Sequence, residues 1–137
     1  MKTVLFACVH NAGRSQMAAA WLNHLADQSA VRGISAGTAP AAAVHPEVLD
    51  AMREVGIDLS TVTPQLLTDT LAEDANLLVT MGCGEVCPHV PNLRSEDWPL
   101  EDPKHQPAER VREIRDQIKQ RILALISREG WASSSGS

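Results

Sequence analysis

Three groups of residues in this chain are of types that can do chemistry. The first is Cys8-Val9-His10-Asn11-Ala12-Gly13-Arg14-Ser15, in which five residues separate a cysteine from an arginine. A loop of this length can curl so that its backbone N–H groups converge on one centre. Such a nest, placed at the positive end of a helix, binds a tetrahedral oxyanion. The same field favours the thiolate, which is the nucleophilic form of a cysteine. Arg14 can grip the anion with two parallel hydrogen bonds. The loop therefore joins a nucleophile, Cys8, to a cradle built from Val9, His10, Asn11, Ala12, Gly13 and Arg14. A buried strand-end cysteine followed by an unrelated surface arginine has the same spacing. The apolar strand before the loop, the helix after it, and Gly13 and Ser15 beside Arg14 favour the chemical reading.

The second group is Thr80-Met81-Gly82-Cys83-Gly84-Glu85-Val86-Cys87-Pro88. Cys83 and Cys87 are one helical turn apart, so a single turn puts both on one face. Gly82 and Gly84 free the backbone around Cys83. Three readings stand side by side. The cysteines are two small buried apolar groups, or zinc ligands with His89 and a fourth ligand not apparent, or members of a thiol relay with Cys8. The relay is favoured. In it Cys8 reacts first, Cys83 attacks Cys8, and Cys87 attacks Cys83. The third group is Asp97-Trp98-Pro99-Leu100-Glu101-Asp102-Pro103. An oxyanion site benefits from a carboxylic acid that protonates a leaving oxygen, and Asp102 is the candidate. An ordinary Asp-Pro turn is the plain alternative; Asp97 and Glu101 are weaker candidates.

The elements that must position these groups follow from pattern. Residues 3–8 read as a strand apolar on both faces, as in a buried parallel sheet. Met17, Ala18, Trp21, Leu22 and Leu25 space a helix from about Arg14 to Ala26. Val31–Ala36 reads as a second strand ended by Gly37, and Thr38–Ala43 as a loop. Pro46 opens a helix carrying Val48, Leu49, Met52 and Val55, closed by Gly56. Thr63-Pro64 marks another helix start, with Leu66, Leu67 and Leu71 as its buried side. Leu77–Met81 reads as a third strand and 92–97 as a fourth. The last helix, about Pro107–Ser127, buries Val111, Ile114, Ile118, Ile122 and Leu125. Its charged residues Glu113, Arg115, Asp116, Lys119 and Arg121 are expected on a solvated face. Strands alternating with helices mean an α/β fold, a parallel sheet covered on both faces. Loops at the carboxyl ends of its strands gather on one edge, so the segments after Cys8 and Met81 share it.

At 137 residues the chain is expected to form a single catalytic domain over 1–129, with a disordered Ser-rich tail over 130–137. Apolar residues make up 44% and charged residues 21%, a globular composition. A net charge of −5 argues against a nucleic-acid surface, so local fields must hold any anion. No run approaches membrane-spanning length and no signal segment opens the chain, so a cytoplasmic protein is expected. Three cysteines in such a protein point to catalysis, metal or redox chemistry before structural disulfides.

Cys8 to Ser15, with Gln16-Met17-Ala18 after it, resembles the low-molecular-weight protein tyrosine phosphatases. Within them the chain is most similar to the three-cysteine, thioredoxin-coupled arsenate reductases built on that fold. Ser35-Ala36-Gly37, Ala51 to Ser60, Val79-Thr80-Met81 with its cysteines, and Trp98 to Pro103 carry the likeness over residues 3–126. The resemblance implies a three-layer fold around a four-stranded parallel sheet in order 2-1-3-4. It implies that Cys8 attacks the arsenic of arsenate, with phosphate or sulfate as mimics. Residues 9–14 hold the oxyanion, Ser15 hydrogen-bonds the thiolate, Asn11 props the loop and Asp102 protonates the leaving oxygen. Cys83 and Cys87 then take over the oxidation, and a thioredoxin or a mycoredoxin- or glutaredoxin-like partner reduces their disulfide. The implied form is a monomer without cofactor. In some relatives a monovalent cation sits behind the loop on an Asn, a Glu, a Ser and an Asp. Asn11 and Ser35 stand at two of those positions and Ala19 and Gln65 at the others, so no metal is expected. The alternatives are a phosphatase acting on phosphotyrosine and a thiol-based arsenite or zinc sensor. Arsenate and phosphate are near-isosteric, so the cradle does not choose between them. The two late cysteines and the absence of Tyr favour the reductase.

Overall fold

A strand apolar on both faces needs cover on both, and that requirement shapes this molecule. The computed structural model describes residues 1–81 and 93–132. In chain order its elements are β1 (Lys2–Cys8), α1 (Arg14–Leu25), β2 (Val31–Gly37), α2 (Pro46–Arg53), α3 (Asp69–Glu73), β3 (Leu77–Thr80), β4 (Ser95–Asp97) and α4 (Ala108–Glu129). The strands form one sheet in the order β2-β1-β3-β4. Every pairing is parallel, with Cys8 opposite Gly37 and Ala7 opposite Thr80. This is the α/β architecture and strand order that the resemblance implies.

The period-two alternation of β1 divides the core. Val4, Phe6 and Cys8 face α1, α2 and α4, packing with Met17, Leu22, Val48, Met52, Ile114, Ile118 and Ile122. Leu5 and Ala7 face the other way, onto Ala72 and Ala75 beside Leu78. The sheet therefore lies between two helical layers, and Cys8 ends β1 on the thicker one.

Three expectations need correction. No helix starts at Thr63-Pro64. The 65–67 backbone instead covers the outer edge of β2, with Gly37 N donating to Gln65 O at 2.9 Å and Leu67 N to Gly37 O at 2.8 Å. α3 begins only at Asp69, where the Thr68 hydroxyl accepts from Leu71 N at 3.2 Å. Leu66 is consequently exposed, and only Leu67 and Leu71 pack against the core. Second, Arg115 is not on the solvated face of α4. It is buried against α2, donating to Ala51 O at 2.8 Å and Glu54 Oε1 at 3.0 Å. Third, residues 130–132 do not belong to a tail. Gly130 ends α4 in the left-handed region, Trp131 is buried, and Ala132 bridges to Ala26. Residues 133–137 lie outside the described part. Among the described residues no helix is long and apolar enough to cross a membrane.

The α2–α4 contact makes a measurable claim. Arg112 hydrogen-bonds Glu54, Arg115 joins it, and together they bring the carboxyl from 4.5 to about 2 against the opposing effect of burial. A carboxyl depressed on folding adds stability above its ordinary range and loses it as pH falls toward the folded value. Thermal melting followed from pH 5 down to pH 2 is expected to fall more steeply for the wild type than for Glu54→Gln, with the curves converging at the acid end. Parallel curves would contradict that role for Glu54.

Candidate active site

The 9–13 loop is held from outside by its own carbonyls. Val9 O accepts from Ala39 N at 2.8 Å, His10 O from Ala41 N at 2.9 Å and Ala12 O from His45 N at 3.0 Å. Asn11 O accepts from Gln16 Nε2 at 3.0 Å, and Gly13 O accepts from Met17 N at 3.0 Å as α1 begins. In a peptide unit the N–H points opposite to the C=O. Carbonyls turned outward along Val9–Gly13 therefore turn the amides of residues 10–14 toward a common centre. α1 starts at that centre with no acidic residue in its first turn and no side chain capping it, so its positive end faces the same space.

Two glycines permit this packing. A Cβ on Gly37 would lie 2.5 Å from Val9 O and 3.0 Å from Asn11 N. A Cβ on Gly13 would lie 2.9 Å from Pro103 Cγ, so Pro103 sits directly on the loop and brings Asp102 to its mouth. Trp98 steers that segment. Its ring packs on Phe6 with centroids 5.8 Å apart, its indole N–H donates to Glu96 Oε1 at 2.9 Å, and its backbone N–H donates to Thr80 O at 2.7 Å.

At the floor, Cys8 Sγ is buried and 2.9 Å from Ser15 Oγ. Asn11 Nδ2 donates to the same Oγ at 2.8 Å. Asn11 is buried with φ at 50°, a left-handed conformation that asparagine tolerates better than most residues. Arg14 closes the pocket. Its Nη1 donates to Met81 O at 2.7 Å and Leu100 O at 2.9 Å, while Nη2 lies 3.9 Å from Asp102 Oδ2. One edge of the guanidinium is thus committed to backbone, and the rest is available to an anion. Of the three acids, Asp102 is the one beside Arg14. Asp97 accepts from Thr80 Oγ1 at 2.7 Å, and Glu101 pairs with Arg110.

The structure thus brings together Cys8, Val9, His10, Asn11, Ala12, Gly13, Arg14, Ser15 and Asp102. Cys83, Cys87 and His89 lie outside the described residues. Met81, the last described residue before Cys83, has its carbonyl on Arg14. Sequence reasoning missed the 38–45 loop, Gln16 and His45. His10 Nδ1 donates to Ala39 O at 3.2 Å at the rim. Burial holds the His45 imidazole below its ordinary range, with Glu47 and Asp102 pulling the other way. The one signal for Gln16 was a polar residue facing inward in the first turn of an apolar helix.

Among the described residues no cluster of three or more His, Cys, Asp or Glu side chains could hold a metal. The groups at the implied monovalent-cation position do not fit one. Asn11 Oδ1 already accepts from Gln65 N at 2.9 Å and Gln16 Nε2 at 3.1 Å. Ser35 O accepts from Gln65 Nε2 at 2.8 Å, and Ala19 offers only a methyl.

Comparison with known proteins agrees with this geometry. The model of the low molecular weight phosphotyrosine protein phosphatase family matches residues 3–130. An arsenate reductase of Staphylococcus aureus is 39% identical over 132 residues, covering 93% of this chain and 98% of the relative. A solved arsenate reductase in the phosphate binding state superposes with a TM-score of 0.81 at 34% identity, over 93% of this chain and 98% of that one. A thioredoxin-dependent arsenate reductase of Corynebacterium glutamicum superposes with a TM-score of 0.79 at 41% identity. That match covers 93% of this chain but 61% of the longer Corynebacterium chain.

Gly37→Ala tests the cradle directly. The added methyl meets Val9 O, and the amides it supports lose their common centre. Phosphate binding, read as protection of Cys8 from alkylation, is expected to weaken by more than about tenfold, or ~1.4 kcal/mol, with the sheet still folded by circular dichroism. Undiminished protection would mean that the Gly37 contact does not support the cradle.

Proposed function

The chain belongs to the low molecular weight phosphotyrosine protein phosphatase family, and within it we propose that the protein reduces arsenate to arsenite through Cys8. One observation carries the proposal: Cys8 Sγ faces Ser15 Oγ at 2.9 Å, beneath a loop whose carbonyls point outward. Two further cysteines just beyond Met81, and relatives that are named arsenate reductases, support the reductase over other chemistries of the family.

The sequence of bonds is as follows. The loop amides and Arg14 hold arsenate with its arsenic in line with the Cys8 thiolate. The sulfur attacks, an S–As bond forms, and one As–O bond breaks. Asp102 gives a proton to the departing oxygen, which leaves as water; arsenic is still pentavalent. The Cys83 thiolate then attacks Cys8 Sγ. An S–S bond forms, the S–As electron pair stays with arsenic, and trivalent arsenite departs. The Cys87 thiolate attacks Cys83 and releases the Cys8 thiolate. A dithiol partner of the thioredoxin type returns two electrons to the Cys83–Cys87 disulfide; a mycoredoxin- or glutaredoxin-like donor is the alternative. One copy of the chain supplies every group, which supports a monomer. Thiols that must start reduced fit a cytoplasmic setting.

A phosphatase would use the same Cys8, Arg14 and Asp102 without the late cysteines. It would gain from aromatic walls around a tyrosine ring. The chain has no Tyr, and its one Phe, Phe6, is fully buried.

The deciding experiment is a coupled assay. Arsenate is offered with thioredoxin and its reductase, with glutaredoxin and glutathione, and with mycothiol and mycoredoxin, in separate arms. Arsenite production in at least one arm is expected. Hydrolysis of an aryl phosphate with no arsenite in any arm would assign a phosphatase instead. In the productive arm, Arg14→Lys keeps the charge but loses the fork, and arsenate KM is expected to rise about tenfold or more. Unchanged KM and kcat would remove Arg14 from oxyanion binding.

A further inference from the structure

The polar groups behind Cys8 form a chain with a direction. Nδ2 of Asn11 has only hydrogens to offer, so at 2.8 Å Ser15 Oγ must accept from it. The single hydroxyl proton of Ser15 is then left for the sulfur, 2.9 Å away. This holds only while the Asn11 amide keeps its nitrogen toward Ser15. The two ends of an amide are alike in shape, so its far end must fix the orientation. There Oδ1 accepts from the backbone N–H of Gln65 at 2.9 Å and from Gln16 Nε2 at 3.1 Å. A flipped amide would set donor against donor at both contacts.

Gln65 is itself anchored. Its backbone O accepts from Gly37 N at 2.9 Å, and its side-chain Nε2 donates to Ser35 O at 2.8 Å. Both partners lie on the outer edge of β2, with β1 on the other side. The Gln65 side chain thus adds one more rung to the ladder that docks 65–67 on the sheet. It also fills, with an N–H donor, an acceptor at the implied cation position.

We propose that Gln65 is a positioning residue for the Cys8 thiolate. It fixes the donor that orients Asn11, and through Asn11 it aims the Ser15 proton at sulfur with no monovalent cation required. The inference rests on Cys8 being the nucleophile, but not on arsenate being its substrate. A test without arsenate or reductant therefore fails separately from the proposed function.

The measurement is the pH profile of Cys8 alkylation by iodoacetamide, followed on the Cys8 peptide by mass. It is run in KCl, NaCl and choline chloride at equal ionic strength, with melting temperatures recorded in parallel. The wild-type profiles are expected to superimpose in all three salts. Gln65→Met keeps the length of the side chain but removes the rung. Its profile is expected to move to higher pH, with alkylation at neutral pH slowed by up to about tenfold, the reach of one hydrogen bond. Gln65→Glu, which sets a carboxylate against Ser35 O, is expected to move the same way in choline chloride. A lowered melting temperature with an unmoved profile in both variants would reduce Gln65 to a structural role and overturn the proposal. A wild-type profile that differs between KCl and choline chloride would overturn it without any variant.

Discussion

The carbonyls of Val9 to Gly13 point away from the pocket centre, and the chemistry of the site depends on that constraint. It commits the opposing amides to the interior, where unpaired donors are costly. An anion held by those amides relieves that cost. The donors that turn the carbonyls outward come from the 38–45 loop, from Gln16 and from the first turn of α1. The cradle is therefore a property of the surrounding fold more than of the loop itself.

The sheet delivers these parts to one edge. β1 ends at Cys8, β2 ends beside it at Gly37, and β3 leads to Met81. Arg14 gathers what these strands present. Its guanidinium contacts the carbonyls of Met81 and Leu100 and lies beside Asp102. One side chain thus ties the oxyanion pocket to the acid loop and to the stem of the segment that carries the late cysteines. In the proposed reaction the same group neutralises arsenate and fixes where the proton donor and the relay begin. Removing its charge or its shape would disturb both functions together.

Much of this was legible from spacing alone. The interval from Cys8 to Arg14, placed between an apolar strand and an amphipathic helix, marks the pocket. The core positions of α1, α2 and α4 follow their 3.6-residue period. Where pattern failed, longer-range bonds had overridden local preference. Thr63-Pro64 has the look of a helix start, but the backbone after it is spent on the edge of β2, and the cap belongs to Thr68. Arg115 falls on the polar side of α4, yet α2 packs there and buries it. Gln65 carries no periodic signal, because its partners Ser35 and Asn11 lie 30 and 54 positions away. Asp102 could be read only as one acid among three until the contact with Arg14 singled it out. The positions of Cys83 and Cys87 lie outside the described residues, so the relay rests on chemistry and kinship.

The most direct measurement of that relay uses the Cys87→Ser protein, fully reduced, treated with one equivalent of arsenate and quenched in acid. Non-reducing peptide mass mapping then reads which sulfurs are joined, while released arsenite is counted. Oxidation passing from Cys8 to a neighbouring sulfur predicts a Cys8–Cys83 disulfide in step with the arsenite released. Arsenite appearing with Cys8 still a free thiol, or sustained thioredoxin-driven turnover by this variant, would contradict it.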